Sequence, residues 1–175
     1  PPMYRTPYPD WVDRQTEIPK EYKIPTFQLF SGEGKQSTIE HVARFTAQLK
    51  ELGSNPRVKL KLFPTTLTGV AFEWYSNLPP NSVQDWAKME ALFHSQFYQP
   101  ISEVTVADLA RVKQKPDEKV DQFVRRFNKA RAMCKVQIPD IEYVRIAQDG
   151  LTPELRKKFG TNDFKSLVDM VYKVS

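Results

Sequence analysis

Residues 113–127, KQKPDEKVDQFVRRF, constrain the fold of this chain more than any other segment of the sequence. Gln114, Glu118 and Arg126 surround a proline turn and the start of a helix. Phe123 and Phe127 stand four residues apart, on one face of that helix, as core residues do. Three polar side chains that can satisfy one another, beside two buried rings, predict an internal hydrogen-bond network that fixes a turn against a helix. Such a network shapes a domain and rarely carries out a reaction.

The composition favours a helical protein of one domain or two small ones. The chain has 175 residues, of which 40% are hydrophobic, with 6 Gly and 14 Pro. Scarce glycine and long amphipathic runs favour helices over a β-sandwich. No run approaches the roughly 18 apolar residues of a membrane span, and the first residues lack the apolar stretch of a secretory signal. The chain does not begin with Met, which indicates a piece of a longer polypeptide.

The single cysteine, Cys134, can form neither an internal disulfide nor a zinc site on its own. A reducing setting inside the cell, in the cytoplasm, is therefore expected. Cys134 continues the helical phase of Phe127 and Ala130, which places it in the core rather than at a reactive site.

Helix caps and apolar spacing predict nine helices, four before a break at residues 99–101 and five after it. In the first set, Ser37 with Glu40 forms a capping box, Asn55-Pro56 and Thr66 open two further helices, and Ser82 caps the fourth. The second set begins at Ser102. The inward residues predicted in the first set include Ile39, Phe45, Val70, Trp74, Trp86 and Phe93. In the second set, Asp117, Asp140, Thr152 and either Thr161 or Asn162 open later helices.

Three segments follow from this pattern. Residues 1–25 contain six prolines and form an extended arm without a helix, whose aromatic residues dock on the folded body or on a neighbouring copy. Residues 26–99 and 100–175 form two small all-helical lobes joined by a short linker, each with its own core.

Catalytic and metal sites find little support in the sequence. The two histidines, His41 and His94, have no nucleophile or carboxylate at a telling spacing, so both are expected at the surface or its boundary. No cluster of His, Cys or carboxylates has ligand spacing. We therefore expect no enzyme, no cofactor and no metal. Trp74 and Trp86 lie on apolar helix faces, which favours core packing over base stacking, while Tyr75 is expected to be exposed.

The net charge of +5 and the pI near 9.2 favour polyanionic partners modestly. The basic residues are spread over several clusters, at 57–61, 125–131 and 156–158. Solvated helix faces explain such clusters, and weak attraction to RNA or contacts with an acidic neighbour remain alternatives.

An ordered set of segments resembles the Gag region of gypsy-type long-terminal-repeat retrotransposons. AFEWYSNLPP, then Trp86 and MEALFHSQFY, is similar to that family's Trp-Tyr helix, proline break and helix ending in Phe-Tyr. Residues 113–127 resemble the major homology region of retroviral and retrotransposon capsid proteins. Lys115 stands where that family usually has Gly, so a positive φ at this position would cost about 1 kcal/mol. The resemblance covers roughly residues 25–175.

The resemblance implies a capsid protein with two helical lobes. Amino-terminal lobes would form rings, and dimers of carboxy-terminal lobes would join neighbouring rings. The homology-region network would be carried by Gln114, Glu118, Phe123, Arg126 and Phe127. The dimer helix would be residues 140–149, with an outward face formed by Glu142, Tyr143, Arg145 and Ile146.

The first functional hypothesis is therefore a structural self-assembly protein, the capsid domain of a retrotransposon Gag polyprotein that forms virus-like particles around element RNA. Its partners would be copies of itself, and RNA bound weakly or through the family's Cys/His knuckle, which this sequence lacks. No membrane partner is expected.

Two alternatives belong to other classes. One is a capsid-like module domesticated by a host, whose amino-terminal lobe binds peptide segments, with the chain's own aromatic arm as a candidate occupant. The other is a sequence-specific RNA or DNA binder, for which a steep salt dependence of binding would be diagnostic.

Overall fold

The computed structural model describes residues 3–100 and 103–175, and the regular elements in these ranges are all helical. Two isolated β-bridges, Phe30 with Leu67 and Val104 with Cys134, occur outside them. The prediction of an all-α fold is confirmed. The α-helices are α1 Trp11–Gln15, α2 Thr38–Gln48, α3 Pro56–Leu62, α4 Gly69–Ser76, α5 Trp86–Phe97, α6 Val106–Ala110, α7 Val120–Ala132, α8 Asp140–Asp149, α9 Pro153–Phe159 and α10 Leu167–Val174, with 3₁₀ helices at Lys50–Ser54 and Phe63–Thr66.

The chain divides into two compact units, Pro1–Ile101 and Ser102–Ser175, and each has its own hydrophobic core. The capsid-type arrangement of two lobes stays a prediction. The predicted start of the second helical set at Ser102 lies outside the described residues. None of the helices within residues 3–100 and 103–175 combines the length and the apolar character that crossing a bilayer requires.

The core of the first unit is built from aromatic rings of α2, α5 and the turn after α3. Phe63 and Phe93 meet edge to face with ring centroids 5.0 Å apart, and Phe30 meets Phe93 at 4.9 Å. Edge-to-face pairs of this kind add to the free energy of area burial, because the positive ring edge meets the negative ring face.

Short polar side chains fix where the helices of the first unit begin. Ser37 accepts a hydrogen bond from the Glu40 backbone N–H, so α2 begins where its cap predicts. Asn55 accepts from two backbone N–H groups of α3. For α5 the prediction of Ser82 as the cap is wrong: Asp85 accepts from the Lys88 N–H and starts the helix three residues later. Both residue types cap well, so the sequence alone did not separate them.

The amino-terminal segment corrects the predicted extended arm. It contains the helix α1 within the proline-free stretch that follows Asp10, so the prediction of an arm without a helix is wrong there. Tyr8 and Val12 are buried in the core of the first unit. The Pro7 carbonyl accepts a hydrogen bond of 2.9 Å from the Val83 N–H, which ties the segment to the turn before α5. This segment therefore belongs to the folded body.

Three positions on α2 and α4 also differ from the prediction. Ile39 and Val70, predicted to face inward, are exposed, while Tyr75, predicted to be exposed, is buried. α4 begins at Gly69, after Thr68, and turns Ala71 and Tyr75 inward at a spacing of four. On α2, which starts as predicted, Thr38, His41 and Phe45 take the inward face, and this leaves Ile39 outside. On α4, the inward turn of Ala71 and Tyr75 leaves Val70 at the surface.

The second unit packs α6 to α10 around Leu109, Phe123, Phe127, Phe164 and Met170, all at most 2% exposed. Cys134 is buried in the same core, as predicted. Two helix starts differ from the prediction. α7 begins at Val120 after Lys119, not after Asp117, and α10 begins at Leu167 with Ser166 as its cap.

Candidate functional site

The polar residues of 113–127 form one connected network at the bend before α7. Arg126 donates from Nε to Glu118 Oε2 at 2.6 Å and from Nη2 to Glu118 Oε1 at 2.7 Å. The same Nη2 donates to the Lys113 carbonyl at 2.7 Å. The Glu118 side chain is only 9% exposed and that of Arg126 38%. A bidentate salt bridge between a guanidinium and a carboxylate is strong and fixes the relative orientation of the two groups. The bend is therefore held rigidly to the helix.

Gln114 extends this network to another part of the unit. Its Nε2 donates to the Glu118 carbonyl at 2.8 Å, and its Oε1 accepts from the Thr152 N–H at 3.0 Å. The Gln114 N–H donates to the Gly150 carbonyl at 2.8 Å. One side chain therefore joins the bend before α7 to the junction of α8 and α9.

Gly150 is a member of this site that the sequence analysis did not identify. A Cβ at this position would lie 2.6 Å from the Val112 carbonyl oxygen and 2.8 Å from the Phe123 ring. The junction approaches the bend so closely that only glycine fits without a shift. No local signal distinguished Gly150 from an ordinary helix-ending glycine, because the crowding comes from residues distant in sequence.

The electrostatics of Glu118 indicate a structural group rather than a catalytic base. The hydrogen bonds from Arg126, together with the one from the Lys115 N–H, lower the pKa of this carboxyl to about 2, against the opposing effect of desolvation. A carboxylate with so low a pKa is a weak base near neutral pH, and its oxygens are already engaged. This arrangement holds the bend in place.

Lys115 does not have the positive φ that would have strained the turn. The non-glycine residues with positive φ in the described chain are Lys50 and Asn81, so Lys115 adopts an ordinary backbone conformation. The turn forms without glycine because the Glu118 carboxylate accepts from the Lys115 N–H at 3.1 Å. Phe123 and Phe127 are fully buried beneath the network, with ring centroids 6.4 Å apart.

The outward face predicted for α8 is only partly correct. Tyr143 is 5% exposed, its hydroxyl donates to the Val136 carbonyl at 2.9 Å, and Arg131 lies 3.9 Å above its ring centroid. The prediction that Tyr143 faces outward is therefore wrong. Arg145 is exposed and lies 3.5 Å from Glu142, while Ile146 packs partly against the core. With its ring packed in the core of the second unit, the tyrosine still satisfies its hydroxyl through the Val136 carbonyl.

His41 also departs from the prediction of a surface histidine, since it is buried among Phe30, Phe63 and Phe93. Its Nε2 lies 2.9 Å from Thr66 Oγ1, and this hydroxyl donates to the Phe63 carbonyl at 2.7 Å. The threonine proton is thus used, which makes His41 Nε2 the donor and fixes the tautomer. Burial, and then the Arg44 charge, lower the pKa of His41 to about 4.

Basic side chains of the same chain lie over the rings of two tryptophans in the first unit. Arg57 lies 5.4 Å from the ring centroid of Trp11, and Lys59 lies 5.6 Å from that of Trp86. Trp86 is buried and Trp74 is partly buried against the core, as the apolar spacing predicted. Within the described ranges, no three His, Cys, Asp or Glu side chains come together in a way that could hold a metal ion.

Comparison of the chain with protein-family models, with curated proteins and with solved structures found no match.

Proposed function

We propose that this chain is a structural self-assembly protein, the capsid domain of a gypsy-type retrotransposon Gag polyprotein. Copies of it would form particles that enclose the element's RNA in the cytoplasm. The chain would act without a cofactor and without catalysing a reaction. RNA would be held weakly by the basic helix faces, or by a Cys/His knuckle elsewhere in the polyprotein.

The observation that carries this proposal is the network of Gln114, Glu118 and Arg126. The resemblance assigns these three positions to the homology region. The Arg126 guanidinium binds the Glu118 carboxylate, and the Gln114 amide donates to the Glu118 backbone carbonyl, which supports that assignment. The network couples the bend, α7 and the α8–α9 junction into one rigid body. A rigid body suits a subunit that repeats many times, because less conformational entropy is lost when its contacts form.

Assembly from such units would depend on many weak, symmetric contacts. Each contact can be small, since a closed shell gains stability from the number of contacts made at once. Glu142 and Arg145 remain available at the surface of α8 for such a contact, whereas Tyr143 is not.

Electron microscopy of the purified chain at high protein concentration and high salt tests the proposal. We expect rings or closed particles from the wild type and from Arg125→Ala, a matched variant of an exposed arginine on the same helix. Arg126→Ala should form fewer or irregular particles, because its second unit is loosened. Monomers of the wild type under all conditions would overturn the proposal.

A host-adapted module that binds peptides is a second candidate, favoured by the position of the amino-terminal segment. The first unit accommodates this segment along its own surface, burying Tyr8 and Val12. An apolar cavity of about 160 Å³ lies there, lined by residues that include Trp11, Leu60 and Trp86. A fluorescent peptide of residues 3–15 added to the full chain tests this reading. Saturable binding, stronger for Val12→Ala, would support it, and no binding to either chain would exclude it.

A further inference from the structure

The last helix, α10, has apolar residues on two opposite faces. Leu167, Met170 and Val174 are buried in the core of the second unit. On the other side, Val168 is 79% exposed and Tyr172 86% exposed. These two residues stand four apart and are therefore neighbours on one outward stripe. Neighbouring exposed apolar side chains of this kind offer a surface that a further contact could cover.

The two charged residues of α10 lie beside this stripe and form an ion pair with each other. Lys173 Nζ lies 3.3 Å from Asp169 Oδ1. Asp169 also fixes the start of the helix, since its Oδ2 accepts from the Lys165 N–H at 3.0 Å and its own N–H donates to Ser166 Oγ. The helix start is thus held in one conformation, and the outward stripe is presented in a defined orientation.

The pattern of this stripe is self-complementary when two copies of α10 run antiparallel. With a two-fold axis that crosses the outward stripe at the level of residue 170, Tyr172 of each copy would lie on Val168 of the other, so a large ring meets a small side chain. Stripes on the same side of an apolar seam face each other in antiparallel helices. Asp169 of one copy would then face Lys173 of the other, at both ends of the contact.

A parallel arrangement lacks this complementarity. It would set the Asp169–Lys173 side of one helix against the apolar Leu167–Val171 side of the other, and would place each charge opposite an apolar group. The direction is therefore specified by the order of two charges on one short helix.

We propose that the outward stripe of α10, Val168 and Tyr172 flanked by Asp169 and Lys173, is a two-fold contact between copies of this chain. This contact would be one of the surfaces through which copies of the chain self-assemble, and it rests on the self-assembly proposed above. It involves α10, not the helix α8 that the resemblance implies for the dimer.

The size of the stripe makes this contact weak on its own. A tyrosine buries about 150–250 Å² when it is covered. The area that two residues of an eight-residue helix can bury is therefore far smaller than the roughly 800 Å² that each partner buries in a stable interface. We expect a dissociation constant on the order of 0.1–1 mM, which repetition in a shell would strengthen.

Sedimentation equilibrium of the full chain, from about 20 μM to about 1 mM, measures the contact directly. We expect the average mass of the wild type to rise with concentration, and Tyr172→Ser to weaken association at least tenfold. Tyr98→Ser, which removes an exposed tyrosine from the end of α5, is the matched control and should associate as the wild type does. Equal association of the two variants, or a wild type that stays monomeric, would overturn the proposal.

Cysteine pairing tests the antiparallel register. A mixture of Val168→Cys and Tyr172→Cys chains should form disulfide-linked heterodimers at least several-fold faster than either chain forms homodimers. The buried native Cys134 is common to all samples. A heterodimer rate no greater than the homodimer rates would exclude the register.

Two further readouts separate this contact from its rivals. If Tyr172→Ser lowers the melting temperature of the dilute monomer, the stripe is covered within one chain, and the proposal fails. If Tyr172→Ser forms particles as the wild type does, α10 is not an assembly contact although self-assembly stands. If the α10 dimer forms and no particles appear under any condition, the contact stands and the capsid function fails.

Discussion

At the scale of single residues, the second unit depends on a few polar groups that satisfy one another. Arg126 contributes three hydrogen bonds, two to the Glu118 carboxylate and one to the Lys113 carbonyl. The neighbouring Arg125 makes one ion pair with Asp121, at i and i+4 on the surface of the same helix. These two arginines are adjacent in sequence, but their contributions to the stability of the second unit therefore differ greatly.

Arg126→Ala should lower the free energy of unfolding of the second unit by about 2 kcal/mol, because it leaves the nearly buried Glu118 carboxylate without its counter-ion. The loss stays below the 3–5 kcal/mol of a fully buried pair, since water reaches part of Arg126. Arg125→Ala should change stability by less than about 0.5 kcal/mol. Thermal unfolding followed by circular dichroism compares the two, and equal melting temperatures would show that the network does not stabilise the unit.

His41 makes the stability of the first unit dependent on pH. In the folded unit its pKa is lowered to about 4, while the unfolded chain has the ordinary value of 6.5. Between these values the unfolded state binds more protons, so stability is complete above about pH 6.5 and falls as the pH approaches 4. All three tryptophans, Trp11, Trp74 and Trp86, lie in the first unit, so their fluorescence reports on its unfolding.

We therefore expect the tryptophan-detected melting temperature of the wild type to fall between pH 7 and pH 5. His41→Gln should flatten this dependence, whereas His94→Gln, which removes the other histidine, should retain it. A wild-type melting temperature that stays constant over this range would contradict the burial of a neutral His41.

At the scale of elements, helix ends are set by local chemistry and helix faces by packing. The caps Ser37, Asn55 and Thr105 each accept hydrogen bonds from the first turn of the helix that follows, which is a contact between near neighbours in sequence. The inward face of α4 instead depends on which residues the core accepts. Tyr75 is buried and Val70 exposed although both are apolar.

The short helix α1 should stabilise the first unit although it lies in a proline-rich segment. Val12→Ala should cost about 2 kcal/mol, because Val12 is fully buried and the lost methyl groups leave a cavity. Arg14→Ala, on the exposed side of the same helix, should have little effect. Tryptophan fluorescence during urea unfolding measures both, and an unchanged midpoint for Val12→Ala would show that the segment lies outside the core.

At the scale of the whole molecule, the chain is two helical units with separate cores. The first core is rich in aromatic rings and the second contains the polar network at its edge. A contact with another copy of the chain would explain the exposed apolar stripe of α10. The proposed self-assembly and the proposed α10 contact both require such a surface.

The sequence by itself determined the helical class, the existence of nine α-helices after the amino-terminal segment in the described part of the chain, and the partners Gln114, Glu118 and Arg126. These features depend on residue spacing along one helix or across one turn, so a short stretch of sequence is enough to predict them. The tertiary structure alone decided that Gly150 must approach Val112 and Phe123, that Tyr8 and Val12 enter the first core, and that Tyr143 turns inward while Tyr172 does not. Each of these depends on how the segments pack in three dimensions, and a local sequence pattern does not record that packing.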